Sequence, residues 1–85
     1  MSKEHLTMYT TEWCGYCQRL KKQLASLEVE FVEVNIEEDP AAAKIVEQVN
    51  EGNQTVPTLV FSDGTAMSNP SAQTVLSKLD ELMSK

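Results

Sequence analysis

Long apolar runs, histidines and basic clusters are what this chain has least of, and each shortage closes off a class of function. In 85 residues there is no stretch of 18 or more apolar positions, so no segment is long enough to cross a bilayer as a helix. The opening MSKEHL has neither the apolar core of a secretory signal nor the Arg- and Ser-rich character of a transit peptide, and the expected location is cytoplasmic. Seven basic residues stand against thirteen acidic ones, for a net charge of −6, and the bases (Lys3, Arg19, Lys21, Lys22, Lys44, Lys78, Lys85) are scattered. That distribution argues against a nucleic-acid partner. The one local positive density, Arg19 with Lys21 and Lys22, reads as a solvated helix face. His5 is the only histidine, and with just two cysteines the chain is one ligand short of a closed zinc site unless a carboxylate or a second chain contributes.

What remains is a composition with 41% hydrophobic residues, enough for one small core, and residues 1–85 are expected to form a single domain without repeats, linkers or low-complexity segments. Leu6 to Thr10 alternates apolar and polar residues, which suggests a strand. From about Gly15 a helical period takes over: Cys17, Leu20, Leu24 and Leu27 form an apolar stripe, with Gln18, Arg19, Lys21, Lys22 and Gln23 on the other side. Val32, Val34 and Ile36 alternate within Glu30 to Ile36, a second strand. Asp39 then caps a helix with Pro40 in its first turn, and Ala42, Ile45, Val46 and Val49 trace its apolar face to an end near Gly52. The acids of IEEDP, Glu37, Glu38 and Asp39, fall where a helix N-terminus favours negative charge.

TLVFS at 58–62 is apolar at consecutive positions, as in a strand covered on both faces, and SDG turns it back into the short TAM. Ser68, Asn69 and Pro70 are expected to open a last helix whose inner face carries Val75, Leu76, Leu79, Leu82 and Met83. The order is β-α-β-α-β-β-α, an α/β fold. A right-handed crossover sets the first two strands parallel and the hairpin sets the last two antiparallel, giving a mixed four-stranded sheet flanked by three helices. Ligands bind such sheets beyond the carboxyl ends of the parallel strands, where Cys14 and Cys17 lie.

Those cysteines admit three roles. As a structural crosslink they close a loop too short to constrain the unfolded chain much, and a reducing cytosol would open it. As metal ligands they need partners from elsewhere. Redox chemistry asks only for one reachable sulfur with a lowered pKa and, optionally, a second to displace the product, so it ranks first. Cys14, at the mouth of the first helix, is the sulfur whose thiolate is favoured by unpaired amides and the helix dipole, with Glu12 opposing. Cys17, on the apolar stripe, should be more buried. Pro57 precedes the buried strand, where a missing N–H is harmless. Most X-Pro bonds are trans, but a cis bond here would face the Val56 backbone to the groove so that it could pair with an extended ligand.

WCGYC on a strand-to-helix turn, TVPT some forty residues on, a hairpin and a capped last helix together resemble the glutaredoxin branch of the thioredoxin superfamily, over essentially the whole chain. The resemblance implies Cys14 as nucleophile, Cys17 as resolving thiol, a cis Pro57, and Thr55 and Val56 as a backbone clamp on the ligand's cysteinyl part. Two departures stand out. Gly15 replaces the usual proline of C-P-Y-C, and AMSNPSA replaces the Gly-Gly pair that helps hold glutathione's terminal carboxylate. WCGYC, VNEGNQTVPT and SDGTAMSNPSA together closely resemble the actinobacterial mycoredoxins, whose thiol, mycothiol, lacks those free carboxylates.

That second resemblance implies a monomeric thiol-disulfide oxidoreductase with no bound cofactor and with mycothiol as reducing co-substrate. Its expected partners are mycothiolated proteins, peroxidases among them, and, indirectly, a mycothiol disulfide reductase using NADPH. Trp13 and Tyr16 are candidate groove walls, and Ser68 and Asn69 are sugar-facing groups or helix caps, with Asn69 read mainly as a cap. Rival readings are a redoxin fed by glutathione or directly by thioredoxin reductase, an iron-sulfur scaffold bridged through Cys14, and a zinc-bridged dimer using Cys14, Cys17 and His5.

Overall fold

The computed structural model describes residues 5–83, excluding the side chain of Met83, whose expected place on the last helix's inner face therefore lies outside the described residues. The strands are β1 (Leu6–Thr10), β2 (Val32–Asn35), β3 (Thr58–Phe61) and β4 (Ala66–Ser68), and the helices are α1 (Gly15–Ser26), α2 (Pro40–Val49) and α3 (Ala72–Met83). They run in the expected order. The sheet order is β2-β1-β3-β4, with β1 parallel to β2 and antiparallel to β3, and β3 antiparallel to β4. No helix among the described residues is long and apolar enough to cross a membrane.

The sheet separates two apolar clusters. On one face Leu6 and Met8 of β1 and Leu59 and Phe61 of β3 meet Leu20 and Leu24 of α1 and Val75 and Leu79 of α3. On the other, Tyr9 and Ile36 meet Ala42 and Val46 of α2. Central strands β1 and β3 are thus covered on both sides, which is why their side chains are buried almost without alternation.

Several boundaries and faces differ from the sequence reading. β2 spans only Val32–Asn35, and Val32, at the sheet's edge, is 43% exposed, whereas Ile36 has left the ladder yet is buried beside α2. Leu27 is not part of the α1 stripe: it is the C-cap, past the last helical residue, and faces solvent. In α2 only Ala42 and Val46 are buried, while Ile45 and Val49 remain exposed, because a ten-residue helix lying alone on its face of the sheet presses down only one row. Its end is legible: Gly52 takes φ +97°, a conformation that suits glycine, and its N–H returns to the Glu47 carbonyl at 2.6 Å. The last helix begins later than expected. Ser68 still belongs to β4, and Ser71, not Asn69, caps α3 by accepting the Thr74 N–H at 3.2 Å. Asn69 is instead the turn, in the left-handed region at φ +46°.

Asp63, in the β3–β4 turn, pairs with Lys78 of α3 at 2.7 Å. The Lys78 ammonium, followed by the Thr65 N–H, holds the Asp63 carboxyl well below the usual carboxylate range, and the same contact raises Lys78. A carboxylate depressed on folding stabilises the native state above its unfolded pKa of about 3.9 and loses that contribution as pH falls towards its folded value. In thermal melts between pH 7 and pH 2, Asp63→Asn should therefore melt below the parent near neutrality, with the gap closing below about pH 4. A pH-independent gap would contradict the pairing.

Gly15 is the first residue of α1, and a Cβ built on it meets nothing within 4 Å. Cys14 before it is extended, at φ −79° and ψ 108°, as a residue preceding proline must be. Proline suits this helix position because its missing N–H is unpaired there anyway. Gly15→Pro should accordingly fold and gain roughly 0.4–1 kcal/mol in urea denaturation of the oxidised protein, through a less flexible unfolded chain. A loss of that size would show that glycine is required at this position.

Candidate active site

β1 ends at Thr10, and the chain turns through Thr11 to Trp13 before α1 starts. The turn is closed by the Cys14 N–H donating to the Thr11 carbonyl at 3.4 Å, and the Gln18 N–H reaching the Cys14 carbonyl at 3.2 Å begins the helix. Cys14 is the N-cap itself. Its sulfur takes the place usually held by a Ser, Thr, Asp or Asn oxygen, accepting the Cys17 N–H at 3.0 Å. A helix N-terminus exposes unpaired amides and partial positive charge, so a sulfur at this position is favoured as the thiolate whenever it is reduced. Here the two sulfurs are joined as a disulfide, with Cα atoms 5.2 Å apart.

Burial differs from the expectation of an open Cys14. Cys14 is 4% exposed against 0% for Cys17. The caps Asp39 and Ser71 are exposed, so capping does not bury it; what lies against its sulfur is Cys17 on one side and the Val56 carbonyl on the other. The deeper position of Cys17 is as expected. Around them Trp13 and Tyr16 stand out from the surface, 72% and 66% exposed.

The Val56–Pro57 bond is cis, as the resemblance implied, and the Val56 carbonyl oxygen lies 3.8 Å from Cys14 Sγ. Pro57 is buried, Val56 half-buried and Thr55 exposed, with the Thr55 carbonyl accepting the Thr58 hydroxyl at 2.6 Å. The Pro57 carbonyl accepts the Asn69 N–H at 2.8 Å, so the 55–57 segment and the turn after β4 are tied together. A groove of about 320 Å³ opens between α1 and that turn, lined by Tyr16, Arg19, Leu20, Gln23, Asn69, Pro70 and Ser71. Tyr16, which lines the groove, lies between the two cysteines in sequence; the cysteines themselves are not among its lining residues.

The structure thus brings Cys14, Cys17 and Val56 into contact and puts Tyr16 and Asn69 in one groove. Trp13 is not among the groove's lining residues, and Ser68 turns to the Asn50 side chain, its hydroxyl donating to Oδ1. Sequence reading missed Arg19, Gln23 and Ser71. Arg19 and Gln23 lie three and seven positions after Tyr16, on its face of α1, so helical spacing from Tyr16 could have found them; Ser71 depended on where the last helix begins. His5 does not join the cysteines: it precedes β1, next to Ser62 Oγ at 3.3 Å, with the length of a five-residue strand, about 17 Å, between it and the site. Among the described residues no three His, Cys, Asp or Glu side chains converge to hold a metal.

Comparison with known proteins agrees with this geometry. The family model for glutaredoxin matches residues 6–66. A Mycobacterium tuberculosis protein named as a candidate glutaredoxin is 54% identical over 74 residues, 87% of this chain and 88% of its own. Mycoredoxin 1 of Corynebacterium glutamicum is 41% identical over 78 residues, covering 92% of this chain and 96% of that protein. Among solved structures, the glutaredoxin of Methanosarcina mazei superposes with a TM-score of 0.75 at 24% identity, over 91% of this chain and 79% of that one, a likeness of fold. With a family model covering most of its length, relatives above 40% identity and a cysteine pair at the mouth of α1, the chain belongs to the glutaredoxin family of thiol-disulfide oxidoreductases.

Proposed function

We propose that this protein reduces mixed disulfides between mycothiol and client proteins in the cytoplasm, with Cys14 as nucleophile. The observation that carries the reading is the 41% identity with Mycoredoxin 1 across 96% of that protein. The groove supports it: its lining is neutral apart from Arg19, which suits a sugar-bearing thiol without carboxylates better than the anionic ends of glutathione.

In the proposed reaction the Cys14 thiolate attacks the mycothiol sulfur of the mixed disulfide. A Cys14–mycothiol disulfide forms, the client–mycothiol bond breaks, and the client sulfur leaves as a thiolate that takes a proton from water. A second mycothiol thiolate then attacks the mycothiol sulfur of the adduct, releasing mycothiol disulfide and restoring the Cys14 thiolate. A flavin reductase using NADPH would return the mycothiol disulfide to thiol. Alternatively Cys17, deprotonated, attacks Cys14 Sγ and expels mycothiol, leaving the intramolecular disulfide seen here. The Val56 backbone would receive the cysteinyl part of the ligand, with Thr55 flanking it, and Tyr16 and Asn69 would flank the sugar. Peroxidases that form mycothiol mixed disulfides are natural clients for such a cycle.

The test uses Cys17→Ser, which cannot resolve an adduct internally. Incubated separately with mycothiol disulfide and with glutathione disulfide, it should accumulate a covalent adduct of mycothiol mass and little or none of glutathione mass in intact-protein mass spectrometry. Cys14→Ser should take up neither. An adduct with glutathione alone would move the assignment to a glutathione-fed redoxin, and adduct formation on Cys14→Ser would reverse the cysteine roles.

A further inference from the structure

The buried row of α2 runs through Ala42 and Val46 at a spacing of four, and the next position in that row is Asn50. A half-buried amide is costly unless its hydrogen bonds are met. Here all three are. Nδ2 donates to the Val46 carbonyl at 2.9 Å and to Thr58 Oγ1 at 3.0 Å, and Oδ1 accepts the Ser68 hydroxyl.

The first bond anchors the side chain on α2. The other two reach the two segments that border the candidate site. Thr58, wholly buried, passes the contact on by donating to the Thr55 carbonyl, one residue before the Val56 carbonyl that lies against Cys14 Sγ. Ser68 leads directly into Asn69, which lines the groove and donates its N–H to Pro57. We infer that Asn50 is a positioning residue: it sets the separation of the 55–57 segment from the 68–69 turn, and hence the fit of the ligand site, without touching the ligand. Only a planar side chain with two donors and an acceptor at this reach makes all three bonds, so aspartate, equal in size but without donors, cannot replace it.

The step from fit to substrate affinity rests on the mixed-disulfide reading above; the positioning role does not. Asn50→Asp should speed hydrogen exchange of the Asn69 amide by about tenfold or more, the equivalent of one lost hydrogen bond, while the Cys17 amide keeps its parental exchange rate. With a mycothiolated peptide as substrate, KM should rise by about tenfold and kcat stay within about twofold, the pattern of lost ground-state binding. Alkylation of Cys14 by iodoacetamide in the reduced protein should stay within about twofold of the parent, because the helix mouth is untouched. Thr58→Val, which removes the relaying hydroxyl, should reproduce these shifts and Thr58→Ser should not; this pair decides the matter if Asn50→Asp does not fold. Unchanged exchange at Asn69, or a fall in kcat and alkylation together with the rise in KM, would overturn the inference. If the parent does not turn over the mycothiolated peptide at all, the substrate reading fails, and exchange at Asn69 still decides the role of Asn50.

Discussion

The contact between the Cys17 amide and Cys14 Sγ, at 3.0 Å, is the constraint around which the site is organised. A cap must satisfy an amide that the helix cannot, and here the satisfying atom is a sulfur. A thiol accepts such a bond weakly and a thiolate strongly, so the first turn of α1 rewards ionisation of Cys14. Glu12, exposed two residues earlier, acts against it, which leaves the amide and the helix dipole as the forces that must prevail.

Much of the remaining fold can be understood as holding that helix mouth still. Leu20 and Leu24 clamp α1 onto β1 and β3 through the larger core, and Val75 and Leu79 press α3 alongside. The Ile36 N–H reaching the Thr10 carbonyl at 3.0 Å fixes the end of β1, from which the cysteine turn departs. On the opposite face α2 closes over Tyr9 and carries at its end the amide that reaches the strand and turn beside the site. The helices are held on the sheet by apolar burial, and the segments around the disulfide are tied to one another by hydrogen bonds. That division leaves the segments beside the disulfide, 55–57 and the turn at Asn69, as loops whose geometry polar contacts define.

The sequence disclosed the fold well because its signals were local. Alternation, the Asp39-Pro40 cap and the consecutive apolar residues of Thr58–Phe61 each identify an element by themselves, and the β1–β2 and β3–β4 pairings follow from crossover handedness and a tight turn, whereas the central β1–β3 pairing, which no local signal announces, came only from the structure. It was less informative about surface and edge. Val32, Ile45 and Val49 obey the apolar period yet face solvent, since periodicity says which face a residue shares and not whether anything lies over it. Asn69 looked like a cap beside a proline, but the turn from β4 needed a left-handed residue, and capping passed to Ser71. In the site, Cys14, Cys17 and Pro57 were legible from spacing and resemblance. The near-complete burial of Cys14 was not, because the Val56 carbonyl that lies against its sulfur comes from forty-two positions away, nor was the amide network of Asn50, which reaches residues eight and eighteen positions on.

The most direct measurement is the thiolate absorbance of the reduced protein as a function of pH, with Cys17→Ser used to assign the signal to one sulfur. The N-cap account predicts that Cys14 ionises well below the value of about 8.5 for a free cysteine, so that thiolate predominates at neutral pH. An ionisation at or above the free-cysteine value would show that the helix opening does not stabilise the charged sulfur, and would contradict the account.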